Sequence, residues 1–574
     1  MKKKEFINGF WQLFRGYWMS EQRWRALGLF AVVVGLNFAM VYLLVQINTW
    51  YNEFYNALQG YKAELFWPLI GKFAFLAFLH IAIAVYAIYL RQLLQLRWRT
   101  WMTEQYLAAW LKDQSYYRLQ LGDNEMDNPE QRIQQDISEF VTLTLQFILG
   151  FLKQLTTLAA FAVVLWNLSG SFEFSLGGTN FVIPGYMLWF SLVYSVFGTG
   201  LAHIVGRKLI GLNFEQQKYE ADFRFAMTRV RENSESIAFY GGELPESLTF
   251  KERFVAVVKN YRHLMHQTKL LNFYSNSYAQ FAIIVPLIMA APRYFSGAMT
   301  LGGLMQTNSA FGRVQDALSY FVEAYDGIAQ LTAVIYRLTG FTEHLSEVQS
   351  IESGVAEQDG GTGRLVMEEL TVNLPDGRPL MAGCQAEIAA ADRVLITGES
   401  GCGKSTLLRT LAGLWPFAAG KIMWPNDEKK LFLPQRPYLP LGSLRKAIYY
   451  PLPVREGEEA FLAEVLAKVD MAEFADKLDT VDDWSRILSL GEQQRIAFAR
   501  VLIVRPQWLF LDEATSALDE AHENEMYSLL QRELPEMSIV SVGHRSTLFA
   551  QHKKELHITE EKTWQLRDIA TAVE

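Results

Sequence analysis

The segment Gly398, Glu399, Ser400, Gly401, Cys402, Gly403, Lys404, Ser405, Thr406 stands between an apolar, strand-like run, Val394–Thr397, and a helix-like run, Leu407–Leu414. Glycines in such a turn let backbone N–H groups point inward around phosphate oxygens, and the following helix adds its positive end. Lys404 can reach the β- and γ-phosphates of a nucleotide, and the Ser405 hydroxyl can ligate Mg²⁺. A second apolar run, Trp508–Leu511, ends in Asp512 and Glu513. An open α/β sheet binds its ligand beyond strand ends of this kind. Asp512 is placed to hold Mg²⁺ through water, and Glu513 to polarise an attacking water as a general base. Cys402, inside the loop, reads as a small filler.

Four further elements accompany these two in a fixed order. They are Gln435 in Leu-Pro-Gln-Arg-Pro, the octet Leu488-Ser489-Leu490-Gly491-Glu492-Gln493-Gln494-Arg495 leading into a helix, Ser516-Ala-Leu-Asp519, and His544 after the apolar strand Ser538–Val542. Over residues 364–550 the set resembles the nucleotide-binding domain of ABC transporters. The resemblance implies ATP as the nucleotide. It implies that Ser489 and the Gly491 backbone meet the γ-phosphate of ATP held by a second copy of the chain. It gives His544 a bridge to the γ-phosphate and the attacking water, Gln435 contact with Mg²⁺ and that water, and Asp519 the coupling of two sites across a dimer. Three positions depart from the family pattern. Leu490 replaces a glycine, Glu492 replaces a glutamine, and Leu374 stands where an aromatic residue usually stacks on adenine, losing the π-face.

These elements occupy only part of the 574 residues. The mean hydropathy of +0.05 is high for a soluble enzyme and low for a chain wholly in membrane. Residues 359–574 hold 24 Lys+Arg and 33 Asp+Glu, leaving 29 and 28 for residues 1–358, so the acidic excess lies entirely in the C-terminal part. Nothing in that balance suggests a nucleic-acid partner. Two cysteines exclude a disulfide scaffold.

Six apolar runs fill the N-terminal part. Leu27–Ile47 has no charged residue, Leu69–Leu90 is interrupted only by Lys72 and His80, and Val141–Trp166 contains Lys153. Phe181–Val205 ends near His203, Leu270–Ala291 begins polar and includes Gln280, and Leu301–Tyr325 carries Asn308, Arg313, Asp316 and Glu323. About 20 apolar residues suffice to cross a bilayer, so six membrane-spanning helices are expected. The first run is too long, and begins too late, for a cleavable leader. Lys and Arg on alternate connections place both termini and the nucleotide domain in the cytoplasm of a bacterial-type inner (plasma) membrane. The long connections Arg91–Phe140 and Gly206–Lys269 read as helical extensions reaching into the cytosol, with Asn128–Ile133 and Glu232–Tyr240 as docking elements. Arg313 and Asp316 stand at the i,i+3 spacing of a helical pair. Trp50, Tyr51, Trp98 and Trp101 read as interfacial anchors.

The expected architecture is an all-α transmembrane domain of the exporter type over residues 1–350, a linker over 351–363, and an α/β ATPase domain over 364–574. One of each makes a half-transporter, so a homodimer follows if Ser489 must complete the site of a second copy. Asp127-Asn-Pro-Glu-Gln-Arg-Ile133 and Arg224–Gly242 resemble the D-subfamily of ABC transporters, which includes peroxisomal acyl-CoA carriers and bacterial cobalamin-type importers, and the related BacA-type peptide transporters. The implied partners are the lipid bilayer and a small-molecule, peptide or lipid-like substrate. A membrane-anchored ATPase that senses or regulates without moving a solute shares this architecture.

Overall fold

The computed structural model describes residues 3–121, 128–176, 179–351, 353–359, 363–425, 428–559 and 561–569. They form two compact units, one of Met1–Ala109 with Asp127–Glu343 and one of Trp110–Met126 with His344–Glu574.

The first unit is helical: α1 (Lys3–Trp18), α2 (Arg23–Gln59), α3 (Ala63–Leu111), α4 (Ile137–Ser169), α5 (Tyr186–Glu232), α6 (Ser234–Tyr240), α7 (Glu243–Phe295) and α8 (Leu301–Ser350), whose end runs into the second unit. An antiparallel hairpin of β1 (Ser171–Leu176) and β2 (Thr179–Pro184) joins α4 to α5. Among the described residues, five helical stretches, beginning at Arg23, Ala63, Pro129, Tyr186 and Glu243, are long and apolar enough to cross a membrane. The sixth expected span lies in α8, which is helical but is not among those five. Part of it is nonetheless core: Ala310, Phe311 and Val314 are fully buried against Phe161 and Leu165 of α4 and Met187 of α5. A helix whose apolar face is covered by neighbouring helices can carry polar residues elsewhere.

Polar contacts fix the packing of the bundle. Asn48 Nδ2 donates to the Gln306 carbonyl at 3.0 Å and Asn52 Nδ2 to Gln306 Oε1 at 2.6 Å. The Gly302 N–H donates to Asn56 Oδ1 at 2.9 Å. A Cβ on Gly302 would lie 2.1 Å from the Asn52 carbonyl, so only glycine permits this approach of α2 and α8. At the start of α4 the wholly buried Asp136 accepts from Arg337 Nε at 2.8 Å and Nη2 at 2.6 Å, and from Arg132 Nη1 at 3.0 Å. Arg132 of the D-subfamily-like segment thus has a structural partner; Asp127 of that segment lies outside the described residues. Two expected interfacial anchors are core residues instead. Trp98 is 0% exposed and stacks on Tyr17, and Trp50 stacks on Phe54 while its Nε1 donates to the Leu69 carbonyl at 2.7 Å.

The second unit carries two principal sheets. The four-stranded sheet runs β3 (Gly354–Asp359), β7 (Ala418–Trp424), β4 (Arg364–Asn373), β5 (Pro379–Ala389). Gly354–Asp359, in the segment expected as linker, is an edge strand parallel to β7. The six-stranded sheet runs β14 (Trp564–Asp568), β13 (Lys554–Ile558), β6 (Arg393–Gly398), β12 (Ser538–Val542), β11 (Trp508–Asp512), β8 (Lys430–Leu433). All but β14 are parallel to their neighbours. β12 is buried throughout and β11 almost so, as the near-continuous apolar runs require of strands covered on both faces. A short pair, β9 (Gly442–Ser443) with β10 (Val481–Asp482), and the helices α9 (Lys404–Leu411), α10 (Leu444–Tyr449), α11 (Glu459–Lys468), α12 (Leu490–Val504) and α13 (Glu520–Glu533) also belong to the unit, beside shorter helical turns.

Behind β12 a buried polar chain is fully satisfied. Tyr527 Oη donates to Ser541 Oγ at 3.0 Å, which donates to His552 Nε2 at 2.8 Å, and His552 Nδ1–H donates to the Leu548 carbonyl at 2.7 Å. Burial holds the His552 pKa down at about 4. The unfolded chain takes up a proton there near the ordinary value of 6.5 while the folded chain does not, so stability falls as pH drops from about 6.5 towards 4 and levels off below. The loss reaches at most about 3 kcal/mol. Thermal unfolding of the full-length protein across this range should show a slope that His552→Gln flattens; an unchanged slope in the variant removes the assignment.

Candidate nucleotide site

Four adjacent parallel strands each end at one edge of the sheet with one of the sequence-predicted elements. β6 leads into the glycine loop, β12 to His544, β11 to Asp512 and Glu513, and β8 to Gln435. The pairing is in register, with Ile396 beside Val542, Val542 beside Asp512, and Leu433 beside Leu511. Side chains far apart in sequence therefore converge.

In the loop, Gly398, Gly401 and Gly403 adopt positive φ of 145°, 82° and 100°. The Lys404 ammonium is held over the loop by the carbonyls of Gly398 at 2.9 Å and Glu399 at 2.7 Å. Ser405 Oγ donates to Asp512 Oδ1 at 2.8 Å, so a hydroxyl and a carboxylate, both hard oxygen donors suited to Mg²⁺, meet at the N-terminus of α9. Thr406 lies in the first turn of α9, its carbonyl accepting from Thr410 Oγ1 at 2.9 Å. Glu513 follows β11 in a left-handed conformation, φ 48°, its N–H donating to the Val542 carbonyl at 3.1 Å. Non-glycine residues held in this region store backbone strain, commonly at active sites. The carboxylate is contacted from both flanking strands: Gln435 Nε2 donates to Oε2 at 3.0 Å, and His544 Nε2 lies 3.6 Å from Oε1.

Ser489, Gly491 and Asp519 do not touch the glycine loop; they lie at the starts of α12 and α13. Ser489 caps α12: the Glu492 N–H donates to Ser489 Oγ at 3.3 Å, while Glu492 Oε2 accepts from the Ser489 N–H and Oγ, both at 2.7 Å. Glutamate at this departure position thus completes a capping box. Asp519 caps α13 through the His522 N–H at 2.8 Å, and that bond, with the His522 ring at 2.9 Å, holds its carboxyl below the usual range. The same contact raises His522.

Sequence reasoning missed the residues that tie these parts together. Gln494, wholly buried, donates to the Gln435 carbonyl at 3.0 Å and accepts from the Ala517 N–H at 3.0 Å. Arg545 Nη1 donates to the Leu518 carbonyl at 2.6 Å and Nη2 to the Ser516 carbonyl at 2.8 Å. One amide and one guanidinium thereby fix Ser516–Leu518 between α12 and the residue after His544. The only signal in the sequence was their adjacency to motifs. Leu121, from the tip of the first long connection, packs against the core of the two sheets.

Comparison with known proteins agrees with this geometry. Residues 13–295 match the family described as ABC transporter transmembrane region 2, and residues 382–516 the family described as ABC transporter. The chain is similar to the inner membrane ABC transporter ATP-binding protein YddA of Escherichia coli, 32% identical over 93% of this chain and 94% of that protein. It is also similar to ABC transporter D family member 2, chloroplastic, of Arabidopsis thaliana, 34% identical over 98% of this chain and 88% of that one. The chain belongs to the ABC transporter family. Within it, this transporter is a half-transporter of the D-subfamily type, and it couples ATP hydrolysis to membrane transport. A solved bacterial Atm1-family ABC exporter with ATP bound shares the fold, with a TM-score of 0.72 at 18% identity over 96% of each chain.

Replacing Gln494 by Leu leaves the Ala517 N–H and the Gln435 carbonyl without their partner, costing about 1–3 kcal/mol. In this ABC transporter the expected result is at least a tenfold loss of ATP hydrolysis, read as phosphate release, with ATP still bound. Hydrolysis at the wild-type rate contradicts the tie.

Proposed function

We propose that the chain works as a homodimer in a bacterial-type inner membrane, with both termini and the ATPase domain in the cytoplasm. ATP lies on Gly398–Thr406 of one copy and is completed by Ser489 and Gly491 of the other. The observation that carries this reading is the convergence of Gln435 and His544 on the Glu513 carboxylate, one residue beyond the Ser405–Asp512 pair.

Backbone N–H groups of the loop and the Lys404 ammonium bind the β- and γ-phosphates. Ser405 and Asp512, with Gln435 nearby, hold Mg²⁺, which when bound offsets charge on the phosphate oxygens. Glu513 accepts a proton from the attacking water as its oxygen bonds to the γ-phosphorus and the bond from phosphorus to the β–γ bridging oxygen breaks, giving ADP and phosphate. His544 orients the water and the γ-phosphate. Asp519 relays the state of one site to the other. ATP binds the closed arrangement of the two copies more tightly than the open one, and that differential affinity drives alternating access for a small-molecule, peptide or lipid-like solute. The inner-membrane assignment is supported by similarity to the Escherichia coli relative.

Glu513→Gln should retain ATP and accumulate a closed dimer while turnover falls at least a hundredfold. Rapid hydrolysis by the variant in lipid removes Glu513 as the base. Sealed proteoliposomes should show ATP-dependent solute flux; a protein that hydrolyses ATP but moves no solute across a broad panel is a regulator instead.

A further inference from the structure

Glu523, in the first turn of α13, is a carboxylate with 1% exposure that the reaction described above does not use. Both of its oxygens are engaged. Thr515 Oγ1 donates to Oε2 at 2.7 Å, and Thr547 Oγ1 donates to Oε1 at 2.5 Å. Arg545 supplies a counter-charge, its Nη1 standing 3.8 Å from Oε2. The same guanidinium donates to the carbonyls of Ser516 and Leu518. A buried ion pair rarely stabilises a fold more than apolar packing of the same volume does. It does fix geometry, because a carboxylate left short of partners in a low-dielectric interior is heavily penalised. The geometry fixed here is that of two loops.

Thr515 stands two residues after Glu513, in the turn where the Ser516 N–H donates to the Glu513 carbonyl at 3.0 Å. Thr547 stands three residues after His544, in the short helical turn Ser546–Gln551, where the Leu548 N–H donates to the Arg545 carbonyl at 3.2 Å. One carboxylate therefore grips the segment behind Glu513 with one oxygen and the segment behind His544 with the other. At the head of these two segments, Glu513 and His544 approach each other to 3.6 Å. Strand pairing holds β11 and β12 in register only as far as Asp512 and Val542. Past that point the aim of each side chain depends on how its loop leaves the strand. A misplacement of about 1 Å at a reacting centre can cost about a hundredfold in rate.

We infer that Glu523 is a positioning residue for ATP hydrolysis. Its carboxylate spaces the Glu513 loop from the His544 loop, so that both side chains face the same attacking water. It acts through Thr515 and Thr547 rather than on the nucleotide. Through Arg545 the same spacing reaches Ser516–Leu518, and the Glu523 N–H, donating to the Asp519 carbonyl at 2.9 Å, extends it to Asp519. The inference rests on the roles proposed above for Glu513 and His544. An amide in place of the carboxylate keeps the volume but offers one acceptor oxygen instead of two, and no charge for Arg545.

In the full-length protein in lipid nanodiscs, Glu523→Gln should lower kcat for ATP hydrolysis at least tenfold. KM for ATP should stay within twofold, and radiolabelled ATP should bind to the wild-type stoichiometry, which a loss of folded protein would not allow. Thr547→Val, which removes a single hydroxyl and its hydrogen bond, should lower kcat at least threefold. Added to Glu523→Gln it should cost less than a further twofold, because the two changes break the same bond. Wild-type kcat in either single variant, or losses that multiply in the double variant, overturns the inference. If Glu523→Gln loses ATP binding in step with kcat, Thr547→Val alone decides: a threefold loss at full ATP binding supports the positioning role, and no loss overturns it. Glu513→Gln assayed alongside separates the two readings. An inactive Glu513 variant beside a fully active Glu523 variant removes only the positioning role, whereas a fully active Glu513 variant removes the base on which that role depends.

Discussion

The ATPase half of this protein depends on the parallel alignment of β6, β12, β11 and β8. Parallel strands point their C-terminal ends to one edge, and in-register pairing makes those ends coincide to within a residue or so. The glycine loop, His544, Asp512 with Glu513, and Gln435 are thereby gathered without any of them needing to be near another in sequence. The alignment is sustained by burial on both faces, where Leu509, Phe510, Ile539 and Val540 have almost no exposed surface. Loss of packing in those strands would move the residues gathered at their ends apart.

Much of this arrangement is legible in the sequence, because the candidate site residues sit in strongly patterned surroundings. An apolar run, a glycine turn and a helix leave a local trace, and six elements in order leave little room for chance. The structure places the strands at Arg393–Gly398, Trp508–Asp512 and Ser538–Val542, close to where their apolar runs put them. Contacts made by single polar residues were not legible. Gln494 and Arg545 hold backbone groups 23 to 59 positions away, and no periodicity reports such a bond. β3 was hidden for a different reason: an edge strand reading Gly-Val-Ala-Glu-Gln-Asp has no alternating apolar face, and it is a strand because β7 offers it hydrogen bonds.

In the helical unit, charge and packing trade places with expectation. Trp98 and Trp50 resemble membrane-interface residues by type, yet aromatic neighbours bury them. α8, with the most polar of the expected spans, owes its place to a buried stripe and to amides shared with α2. Asp136 accepts bonds from two guanidiniums, Arg132 from its own turn and Arg337 from α8, where a carboxylate left alone would be severely penalised. Such pairs specify which helix lies beside which, a choice that apolar surfaces in a bilayer leave open.

The second unit is assembled from two separated stretches, Trp110–Met126 and His344–Glu574. Its first piece leaves the ribosome about 220 residues ahead of its second, so the ATPase fold cannot be completed as a local event during synthesis. Leu121 must wait, already anchored by the helices on either side, for the sheets it will cover. A C-terminal fragment made alone would keep its motifs and its strands, but it would present to water the apolar patch that Leu121 covers in the intact chain.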